Sequence, residues 1–140
     1  LNNIVPATTG AATATAEALP QLRGKMSGMA LRVPVLPGSV VDFVCTTERS
    51  ADEEKVNAAF RKHASGEKMR GILEVTDEPL VSSDIIGSDY SALVEAGSTM
   101  AINEHLVKVL AWYDNEWGYA CRITDLTGYT SMRSAERKAA

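Results

Sequence analysis

The chain has 140 residues, a length that predicts one domain with a hydrophobic core of its own. Apolar residues make up 45% of the sequence and charged residues 23%, which is typical of a folded soluble protein and excludes a disordered one. The formal net charge of -4 is spread along the chain, and the only dense basic cluster lies at Arg133, Arg137 and Lys138, so we expect no nucleic acid partner. No apolar run approaches the roughly 18 residues of a membrane-spanning helix, so we expect no membrane attachment.

Cysteine and histidine are sparse. The two cysteines, Cys45 and Cys121, stand in a domain large enough for its own core, which is typical of a reducing compartment, so we expect free thiols and a cytoplasmic location. No two His, Cys or carboxylate residues have the spacing of a zinc site, and no calcium loop is present, so we predict no metal. No glycine-rich nucleotide-binding motif occurs either.

The first predicted helix follows Thr9-Gly10. An alanine-rich run over residues 11–19 comes directly after this pair, and Pro20 ends it. A hydroxyl residue before such a run is a common helix cap, so we expect a short helix with Thr9 as its cap.

Two strands are predicted next. Apolar residues alternate over 29–35, so a strand there would bury the odd positions and place Arg32 on the opposite face. Pro37-Gly38 predicts a turn, and a second strand over 39–47 is expected to pair with the first as an antiparallel hairpin.

The remaining elements indicate an α+β fold. Ser50 stands three residues before Glu53, the spacing of a capping box, and apolar residues then follow at helical intervals up to Gly66. Further strands are predicted over 71–75, 91–95, 99–103 and 106–113, and a last helix from near Glu116. Short connections between these strands predict a mainly antiparallel mixed sheet that carries helices on one face.

Residues 112–119 form the most distinctive segment. They combine four aromatic residues, two carboxyls and one amide at the turn between a strand and a helix. Asp114 and Asn115 stand where the helix begins, and exposed backbone N–H groups there attract hydrogen-bond acceptors. The alternative is a helix cap surrounded by aromatic residues that serve only packing.

A second candidate site lies at the start of the chain. Thr9 and Gly10 would bring together a hydroxyl, an unobstructed backbone N–H and the positive end of a helix dipole, which suits an anion. Arg32 follows on the less apolar face of a strand and could hold a phosphate through two hydrogen bonds. The alternatives are an ordinary helix cap and a surface salt bridge.

The sequence resembles the glyceraldehyde-3-phosphate dehydrogenase family. The resemblance runs in order from the first residue to about Met132 and is carried by residues 3–12, 28–34, 40–42, 71–73, 81–84 and 112–119. It implies the fold of that family's catalytic domain. It also implies that residues 1–140 are the C-terminal portion of this domain, without the nucleotide-binding domain or the segment with the catalytic cysteine and histidine.

The resemblance implies roles for five residues. Thr9, Gly10 and Arg32 match family positions that hold phosphate, either the inorganic phosphate that attacks the acyl-enzyme or the phosphate of the substrate. Asn115 matches the asparagine whose amide holds the carboxamide of the nicotinamide ring, and Tyr119 matches an aromatic residue near that ring. Tyr113 is a weaker candidate for lining the same pocket.

None of the cysteines or histidines matches the family's nucleophile or base. Cys45 stands before two threonines, but its surroundings match an interior strand, so we expect a buried structural thiol. Cys121 is expected to be structural, and His63 and His105 to be bystanders. The chain alone is therefore expected to be inactive, because covalent catalysis needs the nucleophile and its base.

The implied function is that of a phosphorylating aldehyde dehydrogenase. The full-length protein would oxidise glyceraldehyde 3-phosphate with NAD or NADP and inorganic phosphate in central carbon metabolism, as a homotetramer that assembles through the sheet. Two alternatives remain: an erythrose-4-phosphate dehydrogenase, and a non-catalytic oligomerisation or scaffold module.

Overall fold

The computed structural model describes residues 2–139, and side chains as far as residue 137. The chain divides into two compact units, one ending at Val35 and the other beginning at Leu36.

The first unit is a two-stranded ribbon with one helix. Its elements are β1 (Val5–Ala7), α1 (Ala11–Ala18), a 3-10 turn (Pro20–Leu22) and β2 (Ala30–Arg32). The strands pair in antiparallel fashion, with Val5 opposite Arg32. The predicted helix is confirmed, and it ends just before Pro20 because proline cannot supply the backbone N–H that would continue it.

Two expectations for this region are wrong. β2 does not form a hairpin with the strand that follows Pro37-Gly38, because β2 pairs with β1. The odd positions of 29–35 are not buried either, since Met29, Leu31, Val33 and Val35 are between 47% and 62% exposed. Alternation shows that one face of a strand is apolar, but a two-stranded ribbon offers no second layer within its own unit to cover that face.

The second unit is built on a five-stranded sheet. Its strands are β3 (Ser39–Thr46), β4 (Leu73–Thr76), β5 (Ala92–Glu95), β6 (Met100–Ile102) and β7 (Leu106–Tyr113). The central strand β7 pairs in antiparallel fashion with all eight residues of β3 on one side, and with β6 and β5 on the other. β4 joins β5 in parallel. The predicted α+β class with a mainly antiparallel mixed sheet is confirmed.

The core lies between this sheet and α2 (Glu53–Ala64). Val94, Val107 and Val109 are 1 to 6% exposed. Val56 and Phe60 of α2 pack against them, as does Cys45 of β3. Alternate residues of β7 point to opposite faces, so the residues between these valines lie on the other face of the sheet.

The start of α2 differs from the expected capping box. Asp52 is the cap, and its carboxylate accepts a hydrogen bond from the Lys55 backbone N–H at 2.8 Å. The Ser50 hydroxyl instead donates to the Glu104 carboxylate at 3.0 Å. The cap is therefore two residues later in the chain than predicted, and the Ser50 hydroxyl is bonded to Glu104 instead of to the helix.

The last element is α3 (Asn115–Ala139), a helix of 25 residues whose start confirms the prediction. Apolar residues about one turn apart are 44 to 68% exposed along it: Tyr119, Ile123, Leu126, Tyr129 and Met132. Among the described residues, no helix combines the length and the apolar character that crossing a membrane requires.

Candidate functional site

The turn between β7 and α3 is held by Asp114. This residue is only 5% exposed, and its carboxylate accepts hydrogen bonds from the backbone N–H groups of Gly87, Glu116 and Trp117 at 2.9 to 3.1 Å. Two of these donors belong to the first turn of α3, where backbone N–H groups lack helical partners. The bond from Gly87, followed by the bond from Trp117, lowers the pKa of the Asp114 carboxyl, although burial opposes the shift.

Asn115 is the first residue of α3, and its side chain is exposed. The Ser39 hydroxyl donates a hydrogen bond to the Asn115 amide oxygen at 3.3 Å. Ser39 is opposite Tyr113 in the β3–β7 pair, two residues before Asn115. The amide nitrogen of Asn115 still has two N–H groups for a ligand.

Tyr119 lies one helical turn after Asn115, and it is 68% exposed. Residues four apart on a helix share one face, so the structure brings these two predicted cofactor-binding residues together on one exposed strip. Gly118, the residue before Tyr119, packs closely, since a Cβ atom there would stand 3.3 Å from the Tyr90 carbonyl oxygen.

A groove of about 600 Å³ runs beside α3, and Trp117, Cys121 and Arg122 contribute to its lining. The Arg122 guanidinium donates to the Gly71 carbonyl oxygen and to the Ser91 hydroxyl, both at 3.2 Å, and so fastens the helix. Burial, followed by a hydrogen bond to the Asp89 carboxylate, raises the pKa of the Cys121 thiol. A raised pKa leaves little thiolate at neutral pH, so Cys121 is a poor nucleophile.

In the first unit, Thr9 and Gly10 stand at the start of α1. Gly10 occupies the cap position, so the prediction of a threonine cap is wrong by one residue. The Thr9 hydroxyl accepts a hydrogen bond from the Ala11 backbone N–H at 3.2 Å, which leaves the hydroxyl hydrogen free to be donated. Apart from its chain neighbours and the backbone of its own helix, none of the described residues comes within 4 Å of the position that a Cβ of Gly10 would take.

Arg32 is the last residue of β2 and is exposed. Its position opposite Val5 places it four residues before Thr9 in the register of the ribbon. Thr9 and Arg32 therefore lie in the same compact unit of the structure.

A family profile described as the C-terminal domain of glyceraldehyde 3-phosphate dehydrogenase matches residues 1–115. The chain belongs to this family. The range matched contains Thr9, Gly10, Arg32 and Asn115, and it ends at the first residue of α3.

Individual members of the family are about half identical to the chain. Glyceraldehyde-3-phosphate dehydrogenase 2 of Streptomyces avermitilis is 52% identical over 125 residues, which are 89% of this chain and 37% of that protein. Glyceraldehyde-3-phosphate dehydrogenase A, chloroplastic, of Chlamydomonas reinhardtii is 51% identical over 94% of this chain and 35% of its own length. The cytosolic enzyme of Magnolia liliiflora is 45% identical over 96% of the chain and 39% of its own length. The chain thus spans little more than a third of these relatives.

Among residues 2–137, no hydrogen bond joins a cysteine to a histidine. Cys45 packs against the core from β3, and both cysteines are free thiols. His63 is exposed on α2, and the His105 ring nitrogen Nδ1 lies 2.9 Å from the Thr47 carbonyl oxygen. Within residues 2–139, no group of three or more His, Cys, Asp or Glu side chains is arranged to hold a metal ion.

Ser39 is the site residue that sequence reasoning missed. Its partner Asn115 lies 76 positions away, and a serine at the start of a strand carries no local sign of a contact so distant. The antiparallel pairing of β3 with β7 would have predicted it, because that register places Ser39 beside the end of β7.

Proposed function

We propose that this chain is the C-terminal portion of the catalytic domain of a phosphorylating aldehyde dehydrogenase. The full-length protein would oxidise glyceraldehyde 3-phosphate and phosphorylate the product, with NAD or NADP and inorganic phosphate. The observation that carries this proposal is the family match over residues 1–115, which includes Thr9, Gly10, Arg32 and Asn115. The relatives are named for this activity.

The phosphate role rests on two exposed positions in the first unit. The Thr9 hydroxyl and the Gly10 backbone N–H both stand where the positive end of the α1 dipole favours an anion. Arg32 presents a guanidinium that can bind a phosphate through two parallel hydrogen bonds. These groups would hold either the inorganic phosphate or the phosphate of the substrate.

The nicotinamide role rests on the exposed strip of α3. The Asn115 amide would hold the carboxamide of the nicotinamide ring, and Tyr119, one turn further on, would pack near that ring. NAD or NADP, when bound there, would supply the hydride acceptor for the oxidation. This chain would supply contacts to the ring but no nucleophile, because Cys45 is partly buried against the core and the pKa of Cys121 is raised. We therefore expect the chain alone to turn over no substrate.

Self-assembly is part of the proposal. The face of the sheet away from α2 carries Val40 and Val44 of β3, which are 45% and 54% exposed. On the same face, Asp42 lies between these two valines and forms an ion pair of 2.9 Å with Lys108 of β7. An apolar face with a central ion pair suits burial against a second copy, so we expect a homotetramer that forms through this sheet.

We place the protein in the cytoplasm, without nucleic acid or membrane partners, in agreement with its sparse free cysteines and its net charge of -4. The relatives include both a cytosolic and a chloroplastic enzyme. Fractionation of the source cells, followed by mass spectrometry of peptides from this chain, tests the location directly.

The deciding experiment is an assay of the full-length protein that contains this chain. Reduction of NAD or NADP is followed by absorbance with glyceraldehyde 3-phosphate and inorganic phosphate, and in parallel with erythrose 4-phosphate. We expect phosphate-dependent turnover with the triose. A higher kcat/KM for erythrose 4-phosphate would assign the alternative dehydrogenase, and an assembled protein without turnover on either substrate would instead support the scaffold module.

A further inference from the structure

The orientation of the Asn115 amide depends on a residue from another strand. The Ser39 hydroxyl donates to the Asn115 amide oxygen at 3.3 Å. Among residues 2–137, this is the only hydrogen bond that the Asn115 side chain forms. An exposed asparagine without it would rotate freely, since the torsion of its terminal amide is broad.

The backbone next to Ser39 is held in place from two directions. All eight residues of β3 pair with β7, which places Ser39 opposite Tyr113. Gly38 lies so close to the 3-10 turn Ser82–Ile85 that an added Cβ would stand 2.5 Å from the Ser82 carbonyl oxygen. The donor is therefore fixed on a rigid part of the sheet.

The backbone of Asn115 is held equally well. Asp114, immediately before it, accepts three backbone hydrogen bonds and is buried. With both backbones fixed, the hydrogen bond from Ser39 determines which side of the Asn115 amide a ligand meets. The amide oxygen accepts the bond from Ser39, and the Nδ2 group has two N–H donors to offer a ligand.

We propose that Ser39 is a positioning residue for the nicotinamide site, whose hydroxyl orients the Asn115 amide so that Nδ2 can donate to the carboxamide oxygen of the cofactor. This proposal rests on the proposed function. Ordering a side chain before the ligand arrives removes part of the entropy cost of binding, so Ser39 contributes to affinity without touching the cofactor.

The test measures steady-state kinetics of the full-length protein. Loss of one hydrogen bond predicts that Ser39→Ala raises the KM for the nicotinamide nucleotide about threefold to tenfold. The KM for inorganic phosphate should stay unchanged. Ser39→Thr retains the hydroxyl and should restore the wild-type KM. Ser50→Ala is the matched control, because it also removes a serine hydroxyl bonded to a distant side chain, that of Glu104, and it should leave the KM unchanged.

A double-mutant cycle separates this proposal from the proposed function. If Ser39 acts through Asn115, then adding Ser39→Ala to Asn115→Ala should change nothing further. If Asn115→Ala raises the nucleotide KM and Ser39→Ala does not, the positioning role is overturned while the proposed function stands. If Asn115→Ala has no effect, the nicotinamide role of Asn115 itself is overturned.

A second variant guards against a folding defect in Ser39→Ala. Ser39→Cys keeps a similar volume and replaces the hydroxyl by a much weaker donor. Its nucleotide KM should rise as in Ser39→Ala, at a thermal unfolding midpoint close to that of the wild type. A wild-type KM in this variant would also overturn the positioning role.

Discussion

The Asp114 carboxylate accepts a hydrogen bond from the Gly87 backbone N–H at 2.9 Å and thereby joins the start of α3 to a loop 27 residues earlier in the chain. The other carboxylate oxygen caps the helix through Glu116 and Trp117. One buried side chain thus fixes both the turn that carries Asn115 and the loop beside it.

Replacement of Asp114 by alanine should therefore destabilise the protein. Three backbone donors would lose their acceptor, and a lost helix cap or an unsatisfied buried group costs about 1–3 kcal/mol. Urea denaturation of wild type and variant measures the change in the free energy of unfolding. Asp77→Ala is the control, because Asp77 is 76% exposed and pairs with Arg61 on the surface, so it should cost less than about 1 kcal/mol. Equal effects of the two variants would contradict the role given to Asp114.

Asp114 should also make stability depend on pH. Its pKa is lowered in the folded state, chiefly by the Gly87 hydrogen bond, relative to an ordinary value of about 3.9 in the unfolded chain. A lowered folded pKa contributes stability that is fully present above the unfolded pKa and is lost as the pH falls through the folded pKa. Acid should therefore destabilise the wild type below about pH 4.

Glu95 should act in the same direction. Its pKa is lowered first by the hydrogen bond from Ser98 and then by that from Trp112.

In Asp114→Asn the contribution of Asp114 disappears, so the free energy of unfolding should fall less between about pH 6 and about pH 3 than in the wild type. Parallel curves for the two proteins would rule out the linkage through Asp114.

The close approach of Gly38 to Ser82 gives a third prediction. Gly38 has φ of +122°, and an added Cβ would lie 2.5 Å from the Ser82 carbonyl oxygen. Gly38→Ala combines a strained backbone with a clash against backbone, so it should destabilise the protein by at least about 1–3 kcal/mol. Thermal and urea unfolding measure this cost.

Two further glycines separate strain from the clash. Gly71 has φ of +73° but open space around it, so Gly71→Ala should show the backbone strain alone. Gly97 has neither feature, and Gly97→Ala should stay within about 0.5 kcal/mol of the wild type. If Gly38→Ala is as stable as Gly71→Ala, the turn at Ser82 can shift without loss of stability, and the predicted cost of the clash is wrong.

Local signals in the sequence predicted most of the elements. The periodic apolar residues of α2 and the apolar run of β7 were sufficient, since helices and strands are specified largely by such patterns. The cap of α2 was not predicted, because the choice between Ser50 and Asp52 depends on Glu104, which comes from the β6–β7 turn. A local capping pattern carries no information about such a competitor.

Strand pairing was the main failure. Pro37-Gly38 and two short strands favoured a hairpin, yet β3 pairs with β7, and the paired residues are 60 to 74 positions apart in the chain. The partner of a strand depends on which faces the whole sheet can bury. The sequence of two neighbouring strands does not contain this information. The same limit explains the site: Thr9, Gly10 and Asn115 were found as helix starts, whereas Ser39 depends on the β3–β7 register.

The phosphate role of Arg32 gives the last prediction. If its guanidinium binds phosphate through two parallel hydrogen bonds, Arg32→Lys keeps the charge but loses that geometry. Loss of one charge-assisted hydrogen bond is worth about 1.5–3 kcal/mol, so the KM for inorganic phosphate or for the phosphorylated aldehyde should rise about tenfold or more in the full-length protein. Arg23→Lys, in the same unit and also exposed, should change neither. The substrate whose KM rises identifies which phosphate Arg32 binds, and wild-type values for both would contradict its assignment.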